Sequence, residues 1–373
     1  MIYLDNAATT RPCGAAIAAI TSTLTQDWGN PSSVHHFGVE AARLLARSRE
    51  SVAQSIGAQP QTVYFTSGAT ESNNWVIYAA AERLGKRGKH IITTAVEHHA
   101  VLHPIKKLES AGFSVSYLQP DGLGRVSLAD LEAALRPDTI LVSIMAVNNE
   151  SGAVMPIEAM AKLTHRTSPF ALFHTDAVQA LFKQPLRAKA LGVDALSISG
   201  HKVHAGKGVG ALYLRDGLHL PALLRGGGQE SNLRGGTENL PMIAGFAAAC
   251  EAQKKTHKDD IAAMRALQAS CRAQLEQIPG LTLLGAQDAP HIVTFALEGL
   301  RTQGIINALQ ERGIYVSAGS ACSRGHRSHV LTAMQIPPAQ IDGAVRASFS
   351  RETTQADIDA LAQALPEVIE NLG

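Results

Sequence analysis

A chain of 373 residues, 45% hydrophobic and 17% charged, is long enough for two packed domains and too apolar to be disordered. Its 33 basic and 32 acidic residues leave a formal charge of +1, which gives no electrostatic reason to expect nucleic acid or an anionic membrane as the main partner. Four cysteines, Cys13, Cys250, Cys271 and Cys322, stand far apart without a Cys-x-x-Cys pair, which speaks against a disulfide framework and against a zinc knuckle.

The chain opens on Met1-Ile2-Tyr3-Leu4-Asp5, with no basic region ahead of an apolar stretch, so no signal peptide is expected. No apolar run reaches the ~18 residues of a membrane span. A small substrate and a reducing cytoplasm are the expected setting. The first strand-like run, Val63 to Thr66, leads into Thr66-Ser67-Gly68-Ala69-Thr70-Glu71 and a helix from Glu71 to Leu84. Small residues at a helix start leave backbone N–H groups open to a phosphate, although such turns are common in purely structural roles. The Walker pattern with its lysine is absent, which lowers the nucleotide reading.

His90 to Thr93 reads as the next strand and is followed by Val96-Glu97-His98-His99-Ala100. An imidazole there can stack on a flat ring and move protons. A zinc site from His98, His99 and His103 is the competing reading. Adjacent histidines diverge on a helix, however, and no acidic residue completes the set, so no metal is expected. Ser114 to Leu118 is a strand, Leu128 to Leu135 a helix, and Thr139 to Ala146 a strand ending in the polar Asn148-Asn149-Glu150.

Phe170 to Thr175 delivers Asp176 to the end of a buried strand, where a carboxylate either caps a helix or needs a cation. A pyridoxal-phosphate (PLP) pyridinium would serve, with Gln179 within reach of the ring hydroxyl. Ala195 to Ser199 ends in Ser199-Gly200-His201-Lys202. A lysine at a strand end is either an ordinary loop residue or a partly desolvated amine able to form a Schiff base. Gly210 to Leu214 completes this series. Buried strands alternating with helices predict a mostly parallel sheet covered on both faces, with ligands at the C-terminal strand ends.

Beyond Arg225-Gly226-Gly227-Gly228 and Gly235-Gly236 the character changes. A long helical region from Leu240 to Ile278 precedes strands at His291–Leu297 and Gly313–Ser317 and a closing helix at Thr354–Leu372. Cys322 lies in a run of small residues, Val316-Ser317-Ala318-Gly319-Ser320-Ala321-Cys322. Arg324, His326, Arg327 and His329 follow it, and cationic neighbours favour a thiolate. Arg346, set in the apolar Ala344 to Ser348, suggests a fixed carboxylate partner. No internal repeat or low-complexity tract appears.

In this order the segments resemble the cysteine desulfurases of the class V, fold type I, PLP-dependent aminotransferase superfamily. The likeness runs from Tyr3-Leu4-Asp5-Asn6-Ala7-Ala8-Thr9-Thr10 through Gly29-Asn30-Pro31-Ser32-Ser33 to Arg346 and Arg351, nearly the whole chain. It implies an α/β fold with a mostly parallel seven-stranded sheet in a large PLP-binding domain, residues 13–255. Residues 1–12 and 256–373 would form the smaller α/β domain.

By the same resemblance Lys202 would carry PLP, Asp176 would face the pyridinium, and His98 would stack on the ring. Gln179 would contact the ring hydroxyl and Asn149 both cofactor and substrate. Thr70, Ala69, Ser199 and His201 would hold the phosphate, completed by Thr237 from the second subunit of a homodimer. Arg346 would bind the carboxylate of L-cysteine, and Cys322 would take its sulfur as a persulfide, leaving L-alanine. Catalysis would rest on Cys322, Lys202 and His98, with delivery to an acceptor protein for iron–sulfur assembly or for thiolation of tRNA or DNA.

Ser320-Ala321-Cys322 is similar to the nitrogen-fixation and housekeeping branch. The segment from Cys322 to Val330-Leu331 is shorter and more basic than that branch's usual Cys-Thr-Ser-x-Ser-Leu-Glu-Pro-Ser, so Cys322 is expected to reach less far. With Gly373 following soon after the closing helix, the extension that housekeeping members of the resembled branch use toward their scaffold protein is not expected here. Cys322 speaks against transamination on the same scaffold. Together with Lys202, Asp176 and His98, it also speaks against a silent binding subunit.

Overall fold

The computed structural model describes residues 1–318 and 327–372. Twelve strands are formed within them: β1 Ile2–Tyr3, β2 Val63–Thr66, β3 His90–Thr94, β4 Ser114–Leu118, β5 Thr139–Ser143, β6 Leu172–Asp176, β7 Ala195–Ser199, β8 Gly210–Leu214, β9 Leu281–Leu284, β10 Ile292–Leu297, β11 Ile314–Tyr315 and β12 Ala344–Ser348. The main sheet has seven strands in the order β2-β8-β7-β6-β5-β3-β4. All of its pairings are parallel except those of β8, which runs against both β7 and β2.

Strands β3, β5, β6, β7 and β8 are buried along their whole length, which explains why they read as continuous apolar runs and not as alternating ones. The helix Ala69–Leu84 lies across β5, β7 and β8, with Trp75, Val76, Ile77 and Ala80 buried beneath it. On another side the helices Gly14–Thr25, His36–Ser55 and Leu240–Lys254 pack on one another.

Strands β9, β10 and β12 form an antiparallel sheet, and β1 pairs with β11. A separate apolar cluster joins Leu4 to Phe295, Val345, Phe349, Leu361 and Leu365. The first strand of the chain therefore packs with its last third.

The region from Leu240 to Ile278 is two helices, Leu240–Lys254 and His257–Leu275. The helix restarts at Thr256, whose hydroxyl donates to Asp260 Oδ2 at 2.7 Å. The run expected as a strand to Ala146 leaves the ladder after Ser143. The helices Gly14–Thr25 and His36–Ser55 have no counterpart in the sequence reading. Among the described residues no helix is long and apolar enough to cross a membrane.

Candidate active site

Six strands of the main sheet end on one edge, and the chain leaving five of them, β2, β3, β5, β6 and β7, builds one cavity of about 600 Å³. Ala69, Thr70, His98, Asn149, Asp176, Gln179, Ser199, His201, Lys202 and Arg346 all line it. Residues separated by up to 277 positions thus meet where strand-end geometry predicts.

Asp176 is the last residue of β6 and is 6% exposed. Its Oδ2 accepts from Asn73 Nδ2 at 2.7 Å and its Oδ1 from the Val178 amide at 3.0 Å. Among the described residues no side-chain cation pairs with it within 4.0 Å. A buried carboxylate held only by neutral donors is costly unless a cationic N–H can meet it. Asn73, which sets it, was not foreseen. The available signal was its position one helical turn beyond Ala69, on the same face.

Lys202 closes the 3₁₀ turn Gly200–Lys202 directly after β7. Its Nζ donates to the carbonyls of Ala7 and Ala8 at 2.6 and 2.7 Å, both on the cavity wall. Gln179 Nε2 donates to the same Ala7 carbonyl at 2.9 Å, and its Oε1 lies 3.1 Å from His291 Nε2.

His98 caps the helix His99–Ser110, its Nδ1 accepting from the Ala100 amide at 3.1 Å. The neutral ring therefore carries its proton on Nε2. Burial lowers its pKa, with Asp176 opposing and Lys202 adding to that shift. Behind it Glu97 is fully buried, and burial pushes its carboxyl up to about 8 despite hydrogen bonds from the Met145 amide and Thr94. The rings of His103, His99 and His329 follow one another at 4.8 and 4.7 Å. Among the described residues no group of three or more His, Cys, Asp or Glu side chains is placed to hold a metal ion.

The phosphate-type turn is seated by glycine. A Cβ on Gly210, which pairs with both Thr66 and Ser199, would meet Gly68 Cα at 2.7 Å. Glycine there lets the turn lie directly on β8, with the helix N-terminus of Ala69 and Thr70 facing the cavity beside Ser199. His201 sits 3.3 Å from Thr9 Oγ1, and burial, helped by Lys202, Lys207 and Lys183, pushes its pKa down to about 4.

Arg346 is 2% exposed on β12, its Nη1 bound to the Asn149 carbonyl at 2.7 Å and its Nη2 to Asp5 Oδ1 at 3.0 Å. Cys322, with Arg324 and His326, lies outside the described residues. The chain on either side is held at the cavity. Ser317 exchanges backbone hydrogen bonds with Arg346, and Ser328 Oγ donates to Glu150 Oε2 at 2.5 Å. Arg327 is engaged by Asp342 through two contacts of 2.7 Å, so its charge is not directed at the cavity. Thr237 is exposed and does not line the cavity of its own chain.

These residues fit PLP: a buried carboxylate for its pyridinium, an amine for its aldehyde, a helix start and hydroxyls for its phosphate. Residues 2–361 match the family described as Aminotransferase class-V. The chain is 42% identical over 381 residues to a cysteine desulfurase of Trichormus azollae, covering 100% of this chain and 94% of that one. It is similar to a solved NifS-like protein (TM-score 0.94, 36% identity, 100% of both chains). It is also similar to SspA in complex with cysteine (TM-score 0.81, 34% identity, 95% of this chain and 100% of that one).

Proposed function

The chain belongs to the class-V aminotransferase family and is a PLP-dependent cysteine desulfurase, and from that premise we propose how its residues divide the work. The observation that carries the reading is the single cavity that gathers Lys202, Asp176, His98 and Arg346. When bound, PLP supplies an electron sink for the charge left at the substrate Cα. Asp176 would face the pyridine nitrogen and keep it protonated, while His98 would lie against the ring and Gln179 and Asn149 would fix its edge. Ala69, Thr70, Ser199 and His201 would hold the phosphate. His201 does so as a neutral donor, because its pKa is too low for it to be a cation near neutral pH.

Arg346 takes the L-cysteine carboxylate, its guanidinium aimed by Asp5 and the Asn149 carbonyl. Lys202 Nζ would anchor the cofactor through its aldehyde and, once free, would be the base that takes the Cα proton of the substrate. The Cys322 thiolate attacks the substrate sulfur: the S–S bond forms as the Cβ–S bond breaks. The electron pair stays with the carbon fragment, which takes a proton at Cβ and receives one back at Cα from Lys202. Alanine leaves and Cys322 keeps a persulfide for an acceptor protein. Cys250 and Cys271 are poor alternatives, since burial pushes both thiols up to about 12. Cys13, Cys250 and Cys271 are free thiols, in keeping with a reducing cytoplasm. Residues 13–255 are taken as the PLP-binding domain, supported by the separate cluster that joins Leu4 to the last third of the chain.

The test is direct. PLP-loaded protein given L-cysteine and dithiothreitol should release alanine and sulfide one for one. Pyruvate in place of alanine would refute the reading.

The active unit is taken as a homodimer with shared sites. Thr237 is exposed off its own cavity, and Arg234 of the same segment is held 2.8 Å from Glu71, in the first turn of the phosphate-facing helix. Neither Lys202→Ala nor Thr237→Ala homodimers should match a heterodimer of the two, which regains one sound site. A monomeric mass with full activity would contradict sharing.

A further inference from the structure

Lys183 is a buried amine that these steps do not use. It is 6% exposed, and its Nζ donates to the main-chain carbonyl of Lys202 at 2.9 Å. It lies in a small space behind Lys202, lined also by Thr10, His204, Gln253, Asp260 and Arg351 and apart from the large cavity.

No carboxylate neutralises it among the described residues. Asp260 accepts from Thr256 and lies 3.8 Å from Arg351, and no ion pair within 4.0 Å includes Lys183. His204 hydrogen-bonds the Arg11 carbonyl at 2.9 Å, and His291 and His201 are both held neutral by burial. Burial, then the neighbouring Lys202, push the Lys183 ammonium down to about 7. A long amine ordered in such a place gives up both hydration and rotamer freedom, which one hydrogen bond to a carbonyl offsets only in part. Its position is explained by what it does to Lys202. From the front, Lys202 is held through Nζ by Ala7 and Ala8. From behind, Lys183 holds its backbone at the end of a 3₁₀ turn.

Resting on the reading of Lys202 as the PLP anchor, we propose that Lys183 is a positioning residue for it: the amine clamps the Lys202 carbonyl, and when protonated it disfavours a proton on the Lys202 nitrogen. A second cation near an amine is a general means of keeping that amine nucleophilic.

Lys183→Met removes donor and charge at nearly constant length, and Lys183→Gln keeps a donor without the charge. In each, the PLP-loaded protein is titrated and the absorbance of the Lys202-linked chromophore read against pH. Removing a like charge favours the protonated form, so the midpoint should rise by about one pH unit, tenfold in proton affinity, in both variants. Lys183→Met should in addition form the borohydride-reducible linkage more slowly than Lys183→Gln. If Lys183→Met does not fold, the midpoint of Lys183→Gln decides. A midpoint equal to wild type in Lys183→Gln overturns the inference. Borohydride reduction and peptide mapping of the wild-type protein separate the two levels. A label away from Lys202 refutes the anchor itself, whereas a label on Lys202 with an unmoved midpoint refutes only the role of Lys183.

Discussion

Cys322→Ser protein should load PLP like wild type, change its absorbance on adding L-cysteine, and yet lose alanine formation by ~10³-fold or more. The reason lies in the division of labour within the cavity. Lys202, Asp176 and His98 can free the Cα proton of many amino acids. Desulfuration requires a thiolate directed at the substrate sulfur, and a serine hydroxyl cannot form the sulfur–sulfur bond. Of the other three cysteines, Cys250 and Cys271 are held as thiols by burial, and Cys13 does not line the cavity. Mass spectrometry of protein quenched after one turnover should find an added sulfur atom on the Cys322 peptide and no such mass in the variant. A full yield of persulfide on Cys13, Cys250 or Cys271 of the variant would sink the assignment.

Lys202→Ala should remove two functions together. The borohydride-stable link to PLP should vanish, and turnover should fall by ~10²- to 10⁴-fold from the missing base alone. Binding of PLP should weaken less, since Asp176, the Ala69–Thr70 helix start, Ser199 and His201 are all still in place. His98 cannot stand in for the amine. Its Nδ1, the nitrogen that would accept a proton, is engaged with the Ala100 amide. Peptide mapping after reduction is the check: covalent cofactor in Lys202→Ala protein would show that another amine carries it.

Much of this site could be read from residues because the sheet is buried on both faces. Val63–Thr66, Ser114–Leu118, Ala195–Ser199 and Gly210–Leu214 have the same bounds in sequence and structure. Each polar motif directly follows an apolar run. The reversal of β8 was not legible, since a fully buried strand has the same composition whichever way it runs. Gly14–Thr25 was hidden by its alanines and threonines, which leave little contrast between faces. Leu281–Leu284 is a short, half-exposed edge. In the site, what escaped was the support behind the reacting groups: the Ala7 and Ala8 carbonyls, the Asn73 side chain behind Asp176, and the Lys183 side chain behind Lys202. Such roles depend on tertiary placement and leave no mark at the level of residue type.

The first residues of the chain are among the last parts of the site to be placed. Ile2 and Leu4 donate to Gly313 and Tyr315, and Asn6 and Ala7 to Ser348. A ribosome has released every strand of the main sheet once Leu214 has emerged, yet Gly313, Tyr315 and Ser348, to which residues 2–7 donate, are 99 to 134 positions further on. Contacts of such long separation form late. Until those residues are made, the Ala7–Ala8 segment is tied to the cavity from one side alone, through the bonds that Lys202 and Gln179 make to its carbonyls. Strand β12 supplies both Ser348, which meets the Ala7 amide, and Arg346 on the cavity wall, so one late strand completes two sides of the site.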